Sequence, residues 1–111
     1  PDLVFVFLAA NFAPDAGRVA DRLAPWLGSA LLVGCTAQGV AGGGREVEGE
    51  PAVALLAGVL PEVEIEARHV TQEWLRMPVA DAAGWRALLG LELEDPSFVV
   101  LAEPHSVSAD A

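Results

Sequence analysis

The sequence predicts an α/β domain: a mixed, mostly buried β-sheet with flanking helices, opening on a βαβ unit and followed by an antiparallel hairpin. Three observations carry this. Short, wholly apolar runs stand at 3–9, 30–34 and 52–59, with the length and composition of strands buried on both faces. Between the first two the apolar period changes to the 3-4 spacing of an amphipathic helix. Residues 62–70 then alternate plainly, as a half-buried strand does.

Taken in order, "LVFVFLA" at 3–9 reads as a central strand. After Asn11, the residues Ala16, Val19, Ala20, Leu23 and Leu27 form one helical face, opposite Arg18, Asp21 and Arg22. Pro14 suits the first turn of that helix, Pro25 weakens its last, and Gly28 can close it. "ALLVG" at 30–34 follows within the length of a right-handed crossover, so the first two strands are expected to be parallel. "AVALLAGV" at 52–59 reads as a third buried strand, and "EVEIEARHV" at 62–70 as its antiparallel partner. In the latter, Val63, Ile65, Ala67 and His69 share the inward face, while Glu62, Glu64, Glu66 and Arg68 line the outer one. A short helix is expected over 81–89, ended by Gly90. "SFVVLA" at 97–102 reads as a last buried strand, with Glu103-Pro104-His105-Ser106 as the loop beyond it. Only 39–49, rich in glycine and glutamate, has the composition of a linker.

With 111 residues the chain is sized for one small domain. Its 53% apolar content suits a packed core, and no apolar stretch is long enough to span a bilayer. Sixteen acidic residues against six basic ones give a formal net charge of −10, which repels nucleic acid and anionic membrane surfaces alike. The lone Cys35 forms no internal disulfide and builds no cysteine-rich metal site, so a cytoplasmic location is expected. The bias toward Ala, Gly, Val and Arg, without Lys, suggests a GC-rich bacterial genome. The start at Pro1 and the end at Ser108-Ala109-Asp110-Ala111, which looks like an unfinished helix, suggest a fragment of a longer polypeptide.

Several constellations bear on chemistry. The Gly34-to-Gly39 spacing copies half of a phosphate-binding loop, but Val40 and Ala41 stand where the lysine and hydroxyl must be, and Glu46, Glu48 and Glu50 add negative charge. Glycines that permit tight turns are the simpler reading. Cys35 falls just past a strand end, where His105 could act as its base in a thiol hydrolase or transferase. A buried, inert cysteine is the plainer alternative, and "GCTAQG" is no nucleophile elbow. His69 reads as a core histidine, the in-line glutamates at 62, 64 and 66 as a solvated face, and the tryptophans at 26, 74 and 85 as core or interface packing. No metal-ligand spacing and no cofactor signature is present. In open parallel sheets, ligands bind beyond the carboxyl ends of the strands. Asn11, the run Gly34, Cys35, Thr36, Ala37, Gln38 and Gly39, and the pair His105 and Ser106 are therefore the candidate ligand-binding residues.

The order of features resembles the N-terminal domain of the FIST family, the F-box and intracellular signal transduction proteins. The resemblance spans 1–111 and is carried by "DLVFVFLA", by the block "LLVGCTAQGVAGGGREVEGEPAVALLAGVLP", and by the returning "FVVLAEPHSVSAD". It implies a non-enzymatic, intracellular sensory module that binds a small ligand such as an amino acid. It also implies a C-terminal FIST domain or signalling partner. Gly34, Cys35, Thr36 and Gly39 match its motif positions. The loop Glu103-Pro104-His105-Ser106 departs from the expected Asp-Pro followed by an aromatic or small residue. A structural interaction module without a ligand is the remaining alternative.

Overall fold

The computed structural model describes residues 1–103. They fall into two compact units that divide between Val63 and Glu64.

The first unit is built on β1 (Leu3–Ala9), a 3-10 helix (Ala10–Asp15), α1 (Ala16–Leu27) and β2 (Leu31–Ala37). β1 and β2 are parallel, in register from Leu3 opposite Leu31 to Ala9 opposite Ala37, so the expected βαβ unit is present. Val19, Ala20, Leu23 and Leu27 of α1 are half-buried, and Arg18, Asp21 and Arg22 are exposed, as the helical spacing requires. Pro14 lies in the 3-10 helix rather than in the first turn of α1. Gly28 ends α1 with a φ of 61°.

Two more strands follow, β3 (Gly39–Gly42) and β4 (Arg45–Glu48), which correct the linker expected over 39–49. Gly42 pairs with Arg45, leaving Gly43 and Gly44 as a two-residue turn with φ of 58° and 75°. Positive φ at both central residues is what a tight hairpin of matching twist demands, and glycine supplies it without steric cost. Val40 is buried and Val47 half-buried, while Glu46 and Glu48 face solvent. β5 (Val53–Gly58) closes the unit. Its antiparallel partner is β1, from Leu3 opposite Gly58 to Leu8 opposite Val53, giving the mixed order β2-β1-β5.

The core of this unit is narrow. Val4, Val6 and Leu8 on one side of the central strand are buried, with Ala9 and Val40. Phe5 and Phe7, on the other side, are half-buried with ring centroids 6.3 Å apart. β5 was expected to be buried on both faces, but Leu56 is 66% exposed and Val53 and Leu55 are exposed too. Of the two edges of the sheet, it is β2 that α1 packs against, and an apolar strand is buried only on a face that another element covers.

The second unit contains α2 (Gln72–Leu75) and α3 (Ala82–Leu89). α3 falls where a helix over 81–89 is expected, one residue shorter because Asp81 is its cap: Asp81 Oδ1 accepts from Gly84 N–H at 2.8 Å, and Gly90 ends the helix in the left-handed region. Two expected strands are absent. Residues 62–70 form none, so the proposed pairing of 52–59 with 62–70 is replaced by β1 with β5. Glu62 adopts a φ of 62°, which breaks the extended run at its first residue. Farther along, Arg68 turns to the end of α3, donating to the carbonyls of Leu89 at 2.8 Å and Gly90 at 3.2 Å. His69, expected inward, is exposed. Residues 97–102 also form no strand, and Val99 and Val100 are 73% and 78% exposed. Apolar, β-branched sequence becomes a strand only against a partner, and no described strand pairs with this segment.

Candidate functional site

The parallel pairing decides what the expected site can be. Because β1 and β2 run the same way and end level, at Ala9 and Ala37, the residues that follow them emerge at one end of the sheet. Asn11 sits in the 3-10 helix after β1, and Gln38 links β2 to β3. Both are exposed. None of the side-chain hydrogen bonds among the described residues uses Asn11, Thr36 or Gln38. Their amide and hydroxyl groups are therefore available to solvent or to a ligand.

Cys35 and Thr36 are not in a loop past the strand end. Both lie inside β2, opposite Phe7 and Leu8, and successive residues of a strand point to opposite faces. Thr36 shares the face of Leu8, and Cys35 that of Phe7. The two side chains thus cannot line one pocket together. The thiol is free and exposed, which corrects the alternative of a buried, inert cysteine. Ala37 and Gly39 are half-buried. His105 and Ser106 lie outside the described residues.

Gly34 has a structural reason of its own. It stands opposite Val6, and a Cβ there would overlap the Val6 carbonyl oxygen and come within 2.6 Å of Val6 Cγ1. Any side chain would push β2 away from β1 and displace the strand end that carries Gln38.

Among the described residues no cluster of three or more His, Cys, Asp or Glu side chains could hold a metal ion. The in-line glutamates are solvated or neutralised locally. Glu62 and Glu64 are exposed, and Glu66 pairs with Arg68 at 2.9 Å. Trp26 is exposed and Trp74 and Trp85 are half-buried, so Trp26 belongs to no core.

A cleft of about 290 Å³ opens in the second unit, with Ala82, Trp85, Arg86 and Leu89 of α3 on one wall. Leu91, Pro96 and Phe98 form the other. The spacing 82, 85, 86, 89 was a legible helical face. The return of the chain over that face was not.

Together these elements define a mixed α/β domain whose parallel strand pair presents uncommitted polar groups at its carboxyl end. The family model described as FIST N domain matches residues 2–111, and the chain belongs to that family. The family is associated with sensing in signal transduction. No curated protein and no solved structure matches the chain. No helix among the described residues is long and apolar enough to cross a membrane.

Proposed function

We propose that this domain is a cytoplasmic, non-enzymatic sensory module that binds a small polar metabolite, such as an amino acid, at the carboxyl end of the β1–β2 pair. The observation that carries this reading is the level ending of two parallel strands, which brings Asn11 and Gln38 out at one end of the sheet. Thr36 adds a hydroxyl from the Leu8 face of β2. Uncharged donors and acceptors of this kind orient a small molecule, with apolar walls supplying affinity. They provide no acid, base or nucleophile beyond Cys35, which faces the opposite side of the sheet. Sensing requires that the ligand bind two states differently. A C-terminal FIST domain or another signalling partner is the element that would read the difference.

The test is a thermal-shift screen of the full-length protein against amino acids and related metabolites. A ligand present at about 100 times its Kd stabilises by about 2.7 kcal/mol, well within detection. The reading expects one compound class to raise the melting temperature and Gln38→Ala to abolish the shift. A full panel without a shift, or a shift indifferent to Asn11→Ala and Gln38→Ala, rejects it.

The exposure of Cys35 favours a second reading, a thiol-dependent transferase or hydrolase. Alkylation of Cys35 followed against pH separates the two. A thiolate persisting well below the ordinary thiol range supports thiol chemistry, and ordinary titration removes it.

A further inference from the structure

The cleft on α3 has a composition that selects for a ligand of its own. Its walls are hydrocarbon and aromatic: Trp85 and Leu89 from the helix, Leu91, Pro96 and Phe98 from the returning chain. The one charged residue in its lining is Arg86. Arg86 Nη1 donates to the Leu93 carbonyl, which ties the returning chain across the helix face and fixes the guanidinium at the cleft. Neither ion pair of the described residues involves Arg86. Its Nε and Nη2 make no hydrogen bond to a described residue, and neither does the Trp85 indole N–H. The side-chain polar groups lining the cleft are therefore all donors, and no carboxylate lines it.

We propose that this cleft binds a small monocarboxylate with an aromatic or branched aliphatic body. Arg86 would take the carboxylate through Nε and Nη2, the fork geometry that guanidinium and carboxylate share. Trp85, Leu89 and Phe98 enclose the hydrocarbon. The volume of about 290 Å³ falls just under the usual range of ligand pockets, about 300–1,000 Å³, and so admits only a small ligand. A phosphate is disfavoured because the lining offers a dianion one guanidinium and no second cation. A free amino acid is disfavoured because its ammonium group would meet no carboxylate in the lining.

This cleft is built from the second unit and the β1–β2 strand end from the first, so each is tested by its own variants. Calorimetric titration of the full-length protein uses three probes of matched hydrocarbon body: 3-phenylpropionate, phenylalanine and 2-phenylethylamine. The expected order puts 3-phenylpropionate first, by at least about tenfold over the other two, with affinity falling as salt is added. Arg86→Gln should weaken it by at least about tenfold, and Gln38→Ala should leave it unchanged. Arg86 also holds Leu93, so the ranking of probes on the unaltered protein carries the test should that variant fail to fold. The proposal is overturned if the acid and the amine bind alike, or if 3-phenylpropionate does not bind at about 10 mM. Undiminished affinity in a folded Arg86→Gln variant also overturns it.

Discussion

Gly34 and Gln72 show how single residues carry the local physics. Gly34 fits because β2 approaches the Val6 carbonyl too closely for any Cβ. Gly34→Ala should therefore cost about 1–3 kcal/mol, the usual range for overpacking, read as a lower urea midpoint with an unchanged slope. An unaltered midpoint would mean that the two strands separate freely at this point. Gln72 presents the opposite situation. Both polar atoms of its side-chain amide are buried without a hydrogen-bond partner among the described residues. An unsatisfied buried group costs about 1–3 kcal/mol, so Gln72→Met should stabilise the protein by about 1 kcal/mol or more. At this scale the sequence was partly legible. Asn11, Thr36 and Gln38 could be named from their positions after apolar runs. The opposed directions of Cys35 and Thr36 could not, because that depends on β2 extending to Ala37, three residues beyond the apolar run at 30–34.

Among the elements, those defined by their own composition were read correctly, and those defined by a partner were not. β1, α1 and α3 carry their signals internally, in a continuous apolar run, a helical face, and an Asp81 cap with Gly90 behind it. The β3–β4 hairpin was masked because glycine and glutamate dominate it and only Val40 and Val47 mark its inner face. Its turn makes a sharp test. Gly44→Val forces a β-branched side chain to a φ of 75°, a conformation that costs about 1–2 kcal/mol for an L-residue. Gly43→Asn should be tolerated, since asparagine visits that region. Equal melting temperatures for the two variants would argue against the turn. Residues 62–70 and 97–102 failed as strands for one reason. Alternation and β-branching describe a surface suited to a sheet and do not specify which strand receives it. Leu8, by contrast, sits on the central strand and is buried. Leu8→Ala should cost about 2–5 kcal/mol, measured by denaturant unfolding.

Across the whole molecule, the fold class and the family were legible in the sequence because both rest on the order of elements and on the block around Gly34 and Cys35. The identity of the proposed ligand was not, because uncharged amide and hydroxyl groups have no diagnostic spacing of the kind that marks a metal or phosphate loop. The net charge of −10 argues against polyanionic partners. Hydrogen exchange of the full-length protein, with and without the most stabilising amino acid or related metabolite, locates that contact. The expected result is slowed exchange confined chiefly to residues 9–11 and 36–39, lost in Gln38→Ala. Ligand-dependent protection lying wholly elsewhere, or no metabolite that alters exchange at all, would contradict a sensory site at the end of β1 and β2.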